Sequence, residues 1–301
     1  MFRARAFERE TRILFQYHWK SNMFSILIAI PMLIASQFDD KDDLEDLLKQ
    51  SSANLQKGKT EEALESANKA ITTAPKDARG YLLRGNIHIA LRKHKEAIAD
   101  LDKCVELDPK LAKAYQFRGE EYFKLAQIDK SLADFDRFLE MQPDQRSKHW
   151  QRGIALYYAG KFKEGAEQFK AGERAFGDDV ENAVWHYLCN EKVIGADKAR
   201  AALLKIEPDR RVPMMVVYDL FAGKAKPEDV LAAVNKGKPD DQEMKNRQFY
   251  ANLYLGLYFD STGDLKKARE HLEKAGADEK VGGYMGDVAR VHVKLIRKEG
   301  K

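Results

Sequence analysis

Ser66 and Lys69 stand in the spacing S-x-x-K, as "SANK", where a lysine could take the proton of a serine nucleophile. The pair lies in the second helix of a repeat unit, on a stretch of helical period, so coincidental spacing accounts for it. "GGYMG", Gly282 to Gly286, has the glycines of a phosphate cradle but follows no strand-like run, and a cradle needs strand, turn and helix in that order. The carboxylates of "DDKDDLED" lack the central glycine that bends a calcium loop. Two cysteines, Cys104 and Cys189, exclude a disulfide framework, and the seven histidines do not pair at ligand spacing. There is no H-E-x-x-H, no Walker loop and no G-x-S-x-G. The chain therefore reads as no enzyme, with no metal and no cofactor. Trp150, Tyr157 and Tyr158 are the better candidates for function: Trp150 and Tyr157, seven apart, share one helical face and could bury apolar side chains of a partner.

What must position such residues is a repeat. "YLLRGNIHIALRKHKEAIADLDKCVELDP" is followed 34 residues later by "YQFRGEEYFKLAQIDKSLADFDRFLEMQP". Gly85 pairs with Gly119, Pro109 with Pro143, Leu101 with Phe135, and the register extends to Gly153 and Phe169. Backwards it reaches a unit beginning at Leu44 with Ala63, Ala67, Ala70 and Pro75 in place. Each unit predicts two amphipathic helices, small residues where they cross and a Pro after the second. These residues resemble the tetratricopeptide repeat (TPR), W-x2-L-G-x2-Y then A-x3-F then P, which implies an all-α helical-repeat superhelix. Four units cover 44–179. Over 180–247 the pattern decays into a divergent helical segment, with helices expected from about Pro213 to Phe221 and from near Pro227. Over 248–301 a final unit returns on Gly256, Phe259, Ala268, Leu272 and Ala275, closed by a capping helix from about Val281 to Arg297.

A solenoid of helix pairs lines its concave groove with the first helix of each unit. The groove positions are Arg79, Leu82, Asn86 and Ile89, then Lys113, Gln116, Glu120, Phe123 and Lys124, then Trp150, Tyr157 and Tyr158. Amides that both donate and accept, with aromatics beside them, suit an extended or helical peptide. Packing between units is the competing account of the aromatics. The groove is not the basic clamp of the chaperone-binding repeats: Leu82 stands where a Lys or Arg is expected and Phe117 where an Asn is.

The formal net charge is +4, but residues 1–36 hold five basic residues and two acids, leaving 47 basic against 46 acidic side chains in the rest. So balanced a body has no electrostatic footprint for nucleic acid. Residues 1–36 end in "MFSILIAIPMLIAS", shorter than the roughly 20 apolar residues of a spanning helix. With a basic lead before it and the acidic stretch 37–43 after it, this predicts a secretory signal cleaved near Ser36, or else an uncleaved N-terminal anchor; Met23 is an alternative start. No Cys lies near Ser36 to take a lipid.

The order of the parts, with "WHYL" at Trp185 to Leu188 and "YLGLYFDSTGDLKKA" in the last unit, resembles the NlpI-type periplasmic lipoproteins over roughly residues 44–292. That resemblance implies a non-catalytic adaptor of the bacterial cell envelope, a homodimer, whose partners are tail-specific periplasmic proteases and peptidoglycan hydrolases. Two alternatives stay open on the residues alone: a scaffold tethered to the membrane by its leader and facing the cytoplasm, and a regulatory or enzymatic protein with a site in residues 180–248.

Overall fold

The computed structural model describes residues 43–299, with side chains to residue 296. The expectations for the leader, 1–36, and for most of the acidic stretch lie outside these residues. Among the described residues all regular structure is helical, as the repeat requires. The chain divides into two compact units, one ending at Ile87 and one beginning at His88.

The first unit holds α1 (43–56), α2 (Thr60–Thr73) and most of α3 (Ala78–Ala90). Ala63, Ala67 and Ala70 form the buried face of α2, and Ser51 Oγ on α1 donates to the Ala63 carbonyl at 2.7 Å. The second unit continues with α4 (His94–Leu107), α5 (Ala112–Lys124), α6 (Ile128–Met141), a 3-10 turn (Pro143–Lys148), α7 (Trp150–Tyr158) and α8 (Phe162–Gly172). It goes on through α9 (Val180–Ile194), α10 (Ala196–Ala201), α11 (Met214–Phe221), α12 (Pro227–Val234), α13 (Asp241–Ser261), α14 (Leu265–Gly276) and α15 (Gly283–Glu299).

The turn inside each repeat shows why the 34-residue period is so strict. Gly58, Arg92, Ala126 and Gly160, each 34 from the next, all take positive φ, between 56° and 73°. After each, the chain bonds back across a full turn: Lys59 N–H to Asn54 O, Lys93 to His88, Gln127 to Tyr122 and Lys161 to Leu156, all at 2.8–2.9 Å. This is the left-handed helix stop, which satisfies carbonyls that the helix end leaves open. The second helices end before Pro75, Pro109 and Pro143, whose missing N–H cannot continue the ladder.

Gly119 marks the closest approach of α5 and α6: a Cβ there would lie 2.8 Å from Phe135 Cε1 and 3.2 Å from the Ser131 carbonyl. Gly153 meets Phe169, and Gly256 meets Leu272, in the same way. Replacing Gly119 with Leu should therefore overpack the pair and cost about 1–3 kcal/mol. Chemical denaturation of wild type and variant reads this, and coincident curves would remove the close approach from the account.

In the divergent segment, α9 is buried nearly all round, from Asn182 through Cys189. A helix without a wet face has no amphipathic period, which is why the repeat pattern fades there. Helix α11 begins at Met214, with Pro213 at its cap, and α12 begins at Pro227. Helix α13 begins at Asp241, seven residues ahead of the expected final unit; Asp240 caps it by accepting from Glu243 N–H at 2.8 Å.

Candidate functional site: an occupied inner face

In the second unit the inner face of the repeats holds the C-terminal helix. After α14 the chain reverses through Gly282 and Gly283, both at positive φ, and α15 packs against α14 and across α5. Tyr284 stacks on Phe123, with ring centroids 5.3 Å apart and 22° between planes, and meets Trp150 edge-on at 5.2 Å. Two turns further along α15, Tyr158 Oη–H donates to His292 Nδ1 at 2.8 Å, and His292 Nε2 lies 3.4 Å from an Asp260 carboxylate oxygen. Lys294 Nζ donates to the Lys124 carbonyl at 3.3 Å. Arg92, in the positive-φ turn, donates to Asp287 at 2.7 Å and pairs with Glu279 at 3.1 Å. Burial would lift the Asp287 carboxyl, but the hydrogen bonds from Arg290 and Arg92 outweigh it and hold the group below its ordinary range.

The groove residues read from the sequence are thus distributed unequally. Phe123 is fully buried and Tyr157 is 7% exposed, packed edge-on against Trp185 and Phe162. Gln116 bridges Glu120, to which it donates at 2.8 Å, and His149, whose Nε2–H it accepts at 2.5 Å. Burial first of all raises Glu120 above the usual carboxyl range. Lys124 Nζ pairs with Glu121, and Lys113 stays exposed at the start of α5. Helix α15 sits on Phe123, Trp150 and Tyr158, whereas Tyr157 packs between units against Trp185 of α9, as in the competing account of the aromatics. The sequence read α15 as a cover for the last unit and left open whether the groove is free or filled by the chain's own tail. Its packing on α14 provides that cover, while Tyr284 and His292 on the same helix engage residues more than 120 positions earlier. The GGYMG motif was the available signal, as a reversal carrying an aromatic.

In the first unit Arg79 and Asn86 lie on α3, Asn86 half-buried. An open hollow of about 490 Å³ runs between α1 and α3, lined by Leu48, Lys49, Gln56, Arg79 and Leu83 among others. Arg79 is held there by Glu45 on α1 and Asp77.

A second arrangement went unread in the sequence. Arg211, in the loop before α11, donates to Asp179 at 2.6 Å, to Asp209 at 2.6 Å and to Glu181 at 2.5 Å. Glu181 also accepts from Tyr254 Oη–H at 2.6 Å. Burial raises the Glu181 carboxyl despite Arg211, whereas Asp209, also pushed upward by burial, ends below its ordinary range because Arg211 and two backbone N–H groups bond it. This cluster ties the loop before α11 to α9 and α13. Beside it lies a cavity of about 180 Å³ lined by Trp150, Ile154, Phe169, Phe176, Asp179, Glu181, Asn182, Trp185 and Met285.

Profiles of the tetratricopeptide repeat match residues 47–77, 78–111 and 118–180. A tetratricopeptide repeat protein from Parabacteroides merdae is 18% identical over 85% of this chain and 99% of its own, with a TM-score of 0.55. The MamA protein is 16% identical over 66% of this chain and 100% of its own, with a TM-score of 0.50. The chain therefore carries tetratricopeptide repeats in the corresponding fold. Repeats of this kind are protein- and peptide-binding units and are typically non-catalytic.

Proposed function

We propose that this chain is an adaptor of the bacterial cell envelope that brings tail-specific periplasmic proteases together with peptidoglycan hydrolases, acting as an exported homodimer and performing no catalysis itself. The observation that supports the adaptor reading is α15 on the inner face: the repeat surface already binds an amphipathic helix through stacked aromatics and a few buried polar bonds. That is the helix-in-groove mode of recognition. The envelope, the homodimer and the partner classes rest on the residue pattern shared with the NlpI-type proteins and on the basic, short apolar leader.

The purified chain, mixed with a tail-specific protease and a peptidoglycan hydrolase from the same source, should co-elute with both on size exclusion and accelerate hydrolase turnover. Absence of a complex at tens of micromolar rejects the partners. Cell fractionation with N-terminal sequencing reads the rest: a mature start near Ser36 outside the inner membrane is expected, and recovery from the cytosol rejects the location.

A further inference from the structure

We propose that α15 is a built-in placeholder, displaced from the inner face of the repeats by a partner helix that carries an aromatic ring without a hydroxyl and a carboxylate three residues after it. This rests on the adaptor reading above. Three observations carry it. Helix α15 reaches the face with two residues one turn apart: Tyr284 lies on Phe123 and against Trp150, and Asp287 accepts from the Arg92 guanidinium. Two turns on, His292 meets Tyr158, and between them Val288 and Val291 are fully buried. This is the spacing by which one face of a helix fills a groove, so a second helix with the same side chains fits the same seat.

Second, the fit of α15 has a defect. Tyr284 Oη is enclosed and has no hydrogen-bond partner among the described residues. Burial pushes the phenol well above its ordinary range, so the hydroxyl stays a protonated donor with nothing to receive it. A buried donor left open costs more than the missing bond, because it has given up water as well. The same ring without its hydroxyl keeps the stacking and escapes that cost. Third, the seam is least closed where the defect lies. Tyr284 and Trp150 are both half-buried, and the chain enters α15 through exposed Gly283, so a competing helix can start at the first turn. Against exchange stands the tether, which holds α15 at its seat with an effective concentration on the order of millimolar. A free helix with identical contacts therefore loses at micromolar amounts, and the open hydroxyl narrows that advantage only for a partner that lacks it.

The probe is a peptide of residues 281–299 carrying Tyr284→Phe, labelled at its C-terminus and followed by fluorescence anisotropy. Added to the full chain carrying Tyr284→Ala, whose own helix is loosened, it should bind at least tenfold more tightly than to wild type. Adding Arg92→Gly, which suits the positive-φ turn but removes the guanidinium, should weaken that binding several-fold and so place the peptide on the seat. In the chain itself Tyr284→Phe should raise the melting temperature by a few degrees. If Tyr284→Ala fails to fold, Asp287→Asn, which removes the charge facing Arg92 and leaves the aromatics, takes its place in the same titration. Equal binding to wild type and to a folded loosened variant, or binding to neither, overturns the proposal and makes α15 a permanent part of the core. A Tyr284→Phe chain that melts no higher than wild type overturns it as well. A loosened chain that takes up no peptide and whose mass by light scattering rises above that of wild type assigns the seat to α15 of a second copy, against the proposal. Co-elution of the wild-type chain with the protease and hydrolase is read independently, so failure here leaves the adaptor reading standing.

Discussion

Replacing Arg211 with Met should destabilise the protein by about 2–3 kcal/mol. Removing one partner of a fully buried ion pair costs about 3–5 kcal/mol, because the other charge is left uncompensated. Arg211 is 37% exposed, and solvent screening discounts that figure. What raises it again is number: Asp179, Glu181 and Asp209 would face one another without a cation, and the Asp209 side chain is only 4% exposed. Urea unfolding at pH 7 checks this, and the second variant Asp209→Asn in the Arg211→Met background should recover part of the loss. A single Arg211→Met variant as stable as wild type would mean that the cluster is a surface ornament.

The other large effect concerns acid. His149 and His186 are nearly fully buried, and burial pulls both rings from 6.5 down to about 4. For His149 the bonding shows why: Nδ1 accepts the Arg152 N–H at 3.1 Å, capping α7, while Nε2–H donates to Gln116, so the ring is needed neutral. Each folded value lies below its unfolded one, so each histidine contributes stability fully above about pH 6.5, and loses it as pH falls toward about 4. At about 1.4 kcal/mol per pH unit, the loss is on the order of 3 kcal/mol for each ring by the end of that window. Glu120 and Glu181, whose carboxyls burial raises, work in the opposite direction, so the reading is the difference between wild type and His149→Gln. Unfolding free energy from pH 7.5 to 4.5 should fall more steeply in wild type than in His149→Gln. Parallel curves would sink the assignment.

The repeat was legible because every signal that encodes it is local. A glycine or left-handed residue at the turn, small residues at the crossing and a Pro after the second helix all act within one 34-residue window. Ala126 and Arg92 show the limit even there, since they take the positive-φ position without being Gly and only the period places them. The divergent segment was less legible, because α9 is wet on almost no side and offers no contrast between faces. What occupies the inner face stayed open in the sequence for a different reason. Phe123 and Trp150 are covered by Tyr284, and Tyr158 meets His292, and no local pattern couples residues so far apart. The Arg211 cluster shares that property: Glu181 and Tyr254 lie 73 positions apart, and a buried carboxylate on a helix looks in the sequence like any exposed one.

The seat of α15 changes how such a chain must acquire its structure. A plain row of helix pairs is stabilised between neighbours only, so it can nucleate anywhere, grow in either direction and fray from its ends. Here Arg92 and Asp287 are joined across 195 positions, and Phe123 and Tyr284 stack across 161. Contacts this distant raise the loop entropy that must be overcome before they reward the chain, which slows folding, and they come only when α15 has left the ribosome. Until then Phe123 and Trp150 stand wet on an unfinished surface, offered to any helper that recognises exposed aromatics. Once α15 closes, the repeats of the second unit that it joins should melt as one body rather than repeat by repeat.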